Sequence, residues 1–250
     1  MIRTRHFVIL KKMIILRFLH NLLLYTITIG TFFLGSSLAL CFLPFVKDKR
    51  EPFQVAARVW SKMIILLSGS SFKVVGQENI PAGAFMIAAN HQGAADIPIV
   101  LGGLPVNFLF AIKKELFKIP IFGWYLRMTG YFPVDRAMIL SAYKLVDKMV
   151  DLLNQGDKIL IFPEGTRSGD GSLGEFKRGS LLAALKAKVP VLPVAIAGSY
   201  DIMPKGTKLI RPAKVRLSIG KPIMIADDSE YEAKLGEVRR SIANMLPAPL

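Results

Sequence analysis

The sequence predicts an α/β fold, in which helices flank a single mixed, largely parallel sheet and an N-terminal membrane-associated helical segment comes first. Two observations support this prediction. The stretch from Phe18 to Val46 contains no Asp, Glu, Lys or Arg. From Ser71 onward, short apolar runs alternate with amphipathic stretches, which is the pattern of strands and helices in layered α/β domains. With 250 residues, the chain is long enough for one large domain and a short appendage.

We therefore expect an anchor over residues 1–68, made of a hydrophobic helix or hairpin plus an amphipathic helix, and an α/β domain over residues 69–250. Proline lacks an N–H, so Pro193 predicts an edge or bulged position for its strand. The expected strands are residues 72–75, 84–89, 107–112, 131–134, 158–162, 189–197 and 215–219. One expected helix begins at residue 97. Four others cover residues 115–128, 137–154, 180–188 and 230–245.

The composition favours a membrane partner. The 33 Lys and Arg residues exceed the 18 Asp and Glu residues by a net charge of +15, and the mean hydropathy is +0.42. Such a charge suits phospholipid headgroups or nucleic acid. The basic residues are scattered among apolar segments rather than gathered with aromatic residues, so we expect an anionic membrane and no nucleic acid. The single cysteine, Cys41, fits a reducing compartment. No Cys and His cluster has metal-ligand spacing, so we expect no metal.

The N-terminal apolar stretch predicts a retained membrane segment, since about 20 apolar residues cross a bilayer. A cleaved signal peptide fits less well because the basic leader is long and the apolar run is too extended. A lipoprotein site at Cys41 fits poorly because the bulky Leu40 precedes it. Basic residues flank the apolar run on both sides, which favours cytoplasmic placement of both flanks.

This charge distribution suggests a segment that dips into one leaflet and returns, with bends at Gly30, Gly35 and Pro44; a spanning segment stays open. We expect the catalytic domain to face the cytoplasm, at the inner membrane if the source is bacterial. Residues 52–68 predict an interfacial amphipathic helix with Arg58 and Lys62 on one face, or alternatively an ordinary core-packing helix. Its expected apolar face comprises Phe53, Ala56, Trp60, Met63 and Leu67.

His91 is the best candidate for catalysis. Of the three histidines, His6 and His20 lie in or beside the apolar N-terminal segment. His91 follows an apolar strand, and Asp96 comes five residues later at a predicted helix start, where the carboxylate can fold back onto the imidazole. A general base needs an imidazole whose second nitrogen is held in this way. The alternative is that Asp96 is only a helix N-cap.

A second stretch, Phe-Pro-Glu-Gly-Thr-Arg-Ser at residues 162–168, follows another apolar strand. Gly165 permits unusual backbone angles and exposes amide groups. Arg167 can hold a phosphate through two parallel hydrogen bonds. Glu164 can receive a glycerol-like hydroxyl or hold Arg167. The alternative is a surface turn.

Taken together, four stretches resemble the motif blocks of the glycerolipid acyltransferases, and most closely the 1-acyl-sn-glycerol-3-phosphate acyltransferases. Asn90-His91 with Asp96 matches the first block, and residues 130–136, which end in an Asp-Arg pair, match the second. Residues 162–168 match the third block residue by residue, and residues 189–194 match the fourth. The resemblance covers about residues 70–220. Residues 93–95 depart from it, because Gly-Ala-Ala stands where the family often carries Ser and a bulky apolar residue.

This resemblance implies transfer of an acyl group from acyl-CoA or acyl-carrier protein to the sn-2 hydroxyl of lysophosphatidic acid, which gives phosphatidic acid. His91 would be the general base and Asp96 its orienting partner, without a covalent intermediate. No cofactor is implied, since the acyl thioester is a co-substrate. Gly93 would offer an oxyanion donor or a cleft wall. The residues implied to hold the acceptor phosphate and glycerol are Lys113, Arg136, Glu164, Gly165, Thr166 and Arg167.

Three alternatives stay open. The acceptor of the acyl group can be another lysophospholipid, glycerol 3-phosphate or a lipid-linked saccharide. A non-catalytic lipid-binding protein is disfavoured because His91 and Asp96 are both present. A hydrolase has no support beyond the same pair. The chain carries no Gly-x-Ser-x-Gly sequence, which argues against a serine nucleophile.

Overall fold

The structure, a computed structural model, describes residues 2–135, 139–204, 206–207 and 209–247. Short 3-10 helices lie at Leu43–Phe45, Gln77–Asn79 and Lys114–Lys118. The strands are β1 (Ser71–Val75), β2 (Met86–Ala89), β3 (Leu109–Lys113), β4 (Phe132–Val134), β5 (Ile159–Ile161), β6 (Val191–Ala197) and β7 (Lys214–Ile219). The α-helices are α1 (Ile2–Phe42), α2 (Glu51–Leu67), α3 (Asp96–Gly103), α4 (Phe122–Met128), α5 (Ile139–Asn154), α6 (Leu182–Ala187), α7 (Ser199–Ile202) and α8 (Tyr231–Met245).

The seven strands form one sheet in the order β1-β7-β6-β2-β5-β3-β4. Strands β6, β2, β5, β3 and β4 run parallel, whereas β7 is antiparallel to β6 and parallel to β1. The predicted mixed, largely parallel sheet is therefore confirmed. The carboxyl ends of the five parallel strands share one edge, which is where open α/β sheets place their binding sites.

Strand β2 lies at the centre of this sheet and of the core. It pairs with β5 on one side and β6 on the other, and all of its residues are buried. A parallel strand covered on both faces reads as a continuous apolar run rather than an alternating one. This accounts for the unbroken sequence from Phe85 to Ala89, and it gives the residues that follow β2 a rigid base.

Strand β6 is an interior strand, so the predicted edge position of Pro193 is wrong. Pro193 lies between the β6–β7 ladder and an isolated bridge that joins Val191 to Ile223. Its carbonyl accepts the N–H of Gly220 at 2.8 Å. Two residues separate Gly220 from Ile223, but only one separates Val191 from Pro193. Residues 220–223, which face this part of β6, therefore contain a bulge. A bulge locally interrupts the hydrogen-bond ladder, and this interruption lies where Pro193 lacks an N–H.

The N-terminal helices form an antiparallel hairpin. Helix α1 continues through Gly30 and Gly35, so the predicted bends there are wrong, and the chain turns at the 3-10 helix that contains Pro44. The indole N–H of Trp60 donates to the carbonyl of Thr28 at 3.0 Å. Nearer the turn, the aromatic cluster around Phe53 includes Ala39. The division at residue 68 stays a prediction, because α2 also packs on α3.

Helix α2 is oriented differently from the prediction. Arg58 donates to the side chain of Asn107 in the α/β unit instead of facing water. Gln54 and Ser61 are buried on the same side, where Gln54 donates to the carbonyl of Thr129 at 2.7 Å. Phe53, Ala56 and Trp60 of the expected apolar face pack against α1. The exposed side of α2 carries Val55, Val59, Leu66 and Leu67 together with Glu51 and Lys62.

Candidate active site

Asn90 anchors the catalytic loop where it leaves β2. Its amide is fully buried, donates to the carbonyl of Ile196 at 2.9 Å and accepts the N–H of Ile196 at 2.7 Å. The side chain thus extends the pairing between β2 and β6 by one step. A buried amide with both functions satisfied is held in one orientation, so the next residue, His91, starts from a fixed point at the carboxyl edge of the sheet.

His91 and Asp96 are in direct contact, as predicted from their spacing. The imidazole Nδ1 lies 2.6 Å from Asp96 Oδ2, and the Asp96 side chain is fully buried. The same oxygen accepts the backbone N–H groups of Gln92 at 2.8 Å and Gly93 at 2.9 Å. Asp96 is the first residue of α3, but its carboxylate binds the preceding loop and does not cap the helix. Within the described part of the chain, its Oδ1 is buried without a hydrogen-bond partner.

These contacts assign the two nitrogens of the His91 ring. Because the carboxylate of Asp96 can only accept a hydrogen bond, the proton is assigned to Nδ1. Nε2 then keeps its lone pair. One face of the ring stacks on Phe162, with 4.0 Å between centroids and 16° between planes. The side chain remains 15% exposed. The ring is therefore held on two sides while Nε2 is available to accept a proton from a bound hydroxyl.

Glu164 has a role that the sequence did not reveal. Its Oε1 accepts the backbone N–H of His91 at 2.7 Å, and its Oε2 accepts that of Gly174 at 2.9 Å. Burial raises the pKa of the Glu164 carboxyl, and these two N–H groups oppose the rise. The carboxylate therefore ties the catalytic loop to the loop that follows β5. Its predicted contact with a substrate hydroxyl stays a prediction.

We expect Glu164→Gln to lower kcat about 10-fold while the KM for the acceptor stays unchanged, because a misplaced hydrogen bond costs about 1–3 kcal/mol. The amide group supplies one acceptor and one donor, so the N–H of His91 or of Gly174 loses its partner. Initial rates and thermal unfolding would test this. The exposed residue Glu78, in the 3-10 helix Gln77–Asn79, provides the control Glu78→Gln. An increase in acceptor KM alone would assign Glu164 to substrate binding instead.

The third motif forms a turn beside a surface depression. Gly165 has φ +70°, a conformation that favours glycine, and a Cβ there would lie 2.6 Å from Cε of the flexible Lys177 side chain. Thr166 and Arg167 line the depression, whose volume is about 430 Å³. The backbone N–H of Ser168 donates to the carbonyl of His91 at 2.8 Å. This wall is thus fixed to the catalytic loop, although His91 itself does not line the depression.

Charge is unevenly distributed around this depression. Arg167 is the cation among the lining residues, and Lys177 lies beside the Gly165 turn. The lining also carries three carboxylates, Glu164, Asp170 and Glu175. Hydrogen bonds from Ser172 and Ser168 hold the pKa of Asp170 at about 2. Because an ionised Asp170 repels an anion, a phosphate fits best at the Arg167 and Lys177 end. Lys177 belongs to a stretch, residues 176–179, that also resembles an accessory stretch of the acyltransferases, but its proximity to Gly165 depends on the fold.

The remaining predicted residues are placed as follows. Lys113 ends β3 at the same sheet edge, is exposed and lies 3.7 Å from Glu115. Arg136 lies outside the described residues. The N–H of Gly93 is already engaged by Asp96, and a Cβ on Gly93 would lie 2.9 Å from the carbonyl oxygens of Ser199 and Met203. The oxyanion or cleft-wall role of Gly93 stays a prediction.

Comparisons with known proteins agree with this geometry. A sequence model of the family described as Acyltransferase matches residues 71–197, from β1 to the end of β6. The 1-acyl-sn-glycerol-3-phosphate acyltransferase of Pseudomonas aeruginosa is 31% identical over 91% of this chain and 86% of its own length. The chloroplastic 1-acyl-sn-glycerol-3-phosphate acyltransferase LPAT1 of Arabidopsis thaliana is 33% identical over 88% of this chain, which spans 61% of that protein.

A solved structure extends the agreement to the fold. The crystal structure of the 1-acyl-sn-glycerophosphate (LPA) acyltransferase PlsC from Thermotoga maritima matches with a TM-score of 0.80 and 32% identity. The match covers 92% of this chain and 96% of that one. From the family match and the extent of these similarities, this chain belongs to the acyltransferase family.

Proposed function

We propose that this protein is a membrane-bound acyltransferase that moves an acyl group from an acyl thioester to the sn-2 hydroxyl of lysophosphatidic acid, giving phosphatidic acid. The observation that supports catalysis best is the His91–Asp96 pair, whose Nε2 is available at the carboxyl edge of the sheet. The acceptor is suggested by the names of the relatives, which are 1-acyl-sn-glycerol-3-phosphate acyltransferases.

The contacts of His91 support general-base chemistry. Nε2 takes the proton of the acceptor hydroxyl as its oxygen attacks the thioester carbonyl. Asp96 receives the Nδ1–H hydrogen bond and stabilises the imidazolium that forms. Because three N–H groups converge on its Oδ2, this carboxylate is fixed before the substrate arrives. Little reorganisation is then needed during the reaction.

Breakdown of the tetrahedral intermediate completes the transfer. The carbon–sulfur bond breaks, and the departing sulfur takes the proton from the imidazolium, which returns His91 to its starting state. The free thiol has a pKa near 8.5, so the thiolate leaves readily. Either acyl-CoA or acyl-carrier protein satisfies this chemistry. Direct transfer requires no covalent acyl-enzyme. The one cysteine that could act as a nucleophile, Cys41, lies in the hydrophobic helix α1, far in sequence from His91.

The acceptor phosphate is assigned to the cationic end of the depression. Arg167 offers two parallel donors, a geometry that matches phosphate oxygens. Lys177 supplies a second cation beside the Gly165 turn. Thr166 and Gly165 complete this wall. Lys113, the last residue of β3, and Arg136, which the family resemblance implies, are proposed as further phosphate contacts.

Arg167→Ala should raise the KM for lysophosphatidic acid about 10- to 100-fold with a smaller change in kcat, because a charge-assisted hydrogen bond contributes about 1.5–3 kcal/mol. The lysine variant, Arg167→Lys, should recover part of the loss. Initial rates with acyl-CoA and acyl-carrier protein should be measured for lysophosphatidic acid, lysophosphatidylcholine and glycerol 3-phosphate. A tenfold preference of the wild type for another acceptor would overturn the proposed substrate.

The course of α1 supports attachment to one leaflet. Its apolar stretch, Phe18–Phe45, is long enough to cross a bilayer, yet it lies along the protein instead of projecting from it. Asn21 exchanges hydrogen bonds with the backbone of Ile210, and Ala39 packs in the cluster of Phe53 and Tyr125. These contacts fix α1 to the rest of the molecule over about 27 Å. A helix that spans the bilayer would instead project away from the α/β unit, with contacts to it at one end only.

The opposite side of this hairpin is apolar and exposed. Such a continuous apolar surface on a strongly basic protein suits the headgroup–acyl boundary of an anionic bilayer. With both flanks of the apolar stretch basic, we place the domain on the cytoplasmic side. The exposed apolar residues of α1 include Leu19, Leu22, Leu23, Ile29, Phe33, Leu34 and Leu38.

A further inference from the structure

Outside the helical hairpin, a short segment between the 3-10 helix Lys114–Lys118 and α4 also exposes large apolar side chains. Ile119 is 46% exposed, Ile121 55% and Trp124 39%. Leu116 and Pro120 are exposed in the same segment. Isolated apolar residues on a surface need no explanation, but a contiguous group marks an interaction site. We call residues 119–124 the apolar turn.

The apolar turn has a strained backbone. Ile121 has φ +63° and ψ −55°, and the N–H of Phe122 donates to the carbonyl of Pro120 at 2.6 Å. These values define the γ-turn of positive φ, which is rare and strained, and a β-branched residue is an outlier there. Glycine adopts such angles at a much lower cost. Strain of this kind is typical of ligand-binding positions, and here it presents an isoleucine to the surroundings.

The apolar turn is also held rigidly. The N–H of Gly123 donates to the carbonyl of Ile119 at 2.7 Å. A Cβ on Gly123 would lie 2.2 Å from the carbonyl oxygen of Phe117, so the two backbone segments approach closely. Arg127 donates to the same carbonyl at 3.0 Å. The exposed side chains are therefore displayed on a fixed scaffold, and this lowers the entropy lost when they become buried.

Two aromatic contacts join the apolar turn to the hairpin. The ring of Trp124 packs edge-on against Phe53 of α2, with 5.6 Å between centroids. Phe122 lies 5.7 Å from Phe32 of α1. The turn therefore continues the apolar surface of α1 and α2. Residues 113–127 contain four basic side chains and one carboxylate, which suits anionic headgroups.

We propose that the apolar turn is a third membrane contact, inserted at the headgroup–acyl boundary of an anionic bilayer beside the hairpin. This inference rests on the membrane attachment proposed above. Trp124 suits the headgroup–acyl boundary, because tryptophan is enriched at membrane–water interfaces. The turn follows β3, whose carboxyl end shares the sheet edge of His91. Together with the hairpin, this contact would restrict the rotation of the domain on the membrane and direct the catalytic edge toward the lipid.

The two tryptophans of the chain report on the two elements separately. Trp60→Phe leaves Trp124 in the apolar turn, and Trp124→Phe leaves Trp60 in the hairpin. Each full-length variant is reconstituted with vesicles of phosphatidylcholine and phosphatidylglycerol that carry brominated acyl chains, and fluorescence quenching is measured. We expect loss of about half of the Trp124 emission, strongest with bromine near the headgroup end of the chain.

The outcomes separate this inference from the proposed function. Because Trp124 also touches Phe53 of the hairpin, quenching of both tryptophans supports the third contact only together with reduced quenching in the Ile121→Asn variant described below. Quenching of Trp60 alone overturns the apolar turn as a membrane contact and leaves the hairpin intact. If neither tryptophan is quenched, the proposed membrane attachment of the hairpin is overturned as well. Trp124 protected by self-association, seen as a dimer in detergent, also overturns the inference.

A substitution in the apolar turn provides a second test. In the Trp60→Phe background, Ile121→Asn should reduce quenching of Trp124 about twofold, because asparagine tolerates positive φ but removes apolar surface. Met224→Asn is the matched control, since Met224 is also exposed, at 48%. It follows Ile223, which pairs with Val191 at the amino end of β6, away from the carboxyl edge of the sheet. Equal quenching in the two variants would contradict the inference. Unchanged circular dichroism confirms that both variants fold.

Discussion

His91→Ala should lower kcat for acyl transfer to lysophosphatidic acid about 10²–10⁴-fold while acceptor binding is retained. In the proposed mechanism Nε2 of the imidazole accepts the hydroxyl proton, whereas Arg167, the phosphate contact proposed on the loop after β5, is left in place by this substitution. The substitution also leaves Asp96 with the N–H groups of Gln92 and Gly93, so the loop keeps two of its three hydrogen bonds to that oxygen.

The measurement is an initial rate with purified protein in lipid vesicles, with acyl-CoA as the donor and the acceptor titrated to saturation. His20→Ala is a matched control, because His20 is exposed on α1 and has no place in the mechanism. The control should retain the wild-type rate. Wild-type activity in His91→Ala would refute the general-base mechanism, and a higher KM with an unchanged kcat would make His91 a binding residue.

Asp96→Asn should lower kcat about 10²–10³-fold without disordering the loop. The side-chain oxygen of asparagine can occupy the position of Oδ2, where it still accepts the N–H groups of His91, Gln92 and Gly93. The amide nitrogen then takes the position of Oδ1, which is buried. The tautomer of His91 is preserved, but the negative charge that stabilises the imidazolium is lost.

Kinetics and thermal unfolding together distinguish this loss of charge from a loss of structure. Asp96→Ala removes the acceptor for all three N–H groups and should lower the unfolding temperature more than Asp96→Asn does. Because the two residues act as one unit, the double variant His91→Ala with Asp96→Asn should be no slower than His91→Ala alone. Multiplicative losses in the double variant would show that Asp96 acts independently of the imidazole.

Much of the fold and the catalytic pair could be predicted because their signals are local. The apolar runs that become β2 and β5 are short and bounded by loops, so their place in a sheet follows from sequence pattern alone. His91 and Asp96 are five residues apart, and a strand-to-helix turn brings such residues together. Helix α5 ends at Asn154, as the glycine at position 156 indicates.

Other features depend on contacts between distant parts of the chain. Glu164 is 73 residues from His91 in sequence, and no local pattern indicates that its carboxylate receives the His91 N–H. The same holds for Lys177, which reaches Gly165 only after β5 and its loop have folded. The orientation of α2 could not be predicted either, because polar side chains such as Gln54 acquire their buried partners from the α/β unit.

The hydrogen bonds of Asn90 and Glu164 have a consequence for biosynthesis. Helices α1 and α2 precede the strands in the chain, so they are synthesised before the sheet is complete. The catalytic loop acquires its geometry only when Ile196 and the loop after β5 are in place, because these segments bind Asn90 and His91. The His91–Asp96 pair therefore acquires the geometry proposed for general-base chemistry late in synthesis, after the loop that carries Arg167 has been made. Under the proposed function, a partly synthesised chain would therefore not transfer acyl groups.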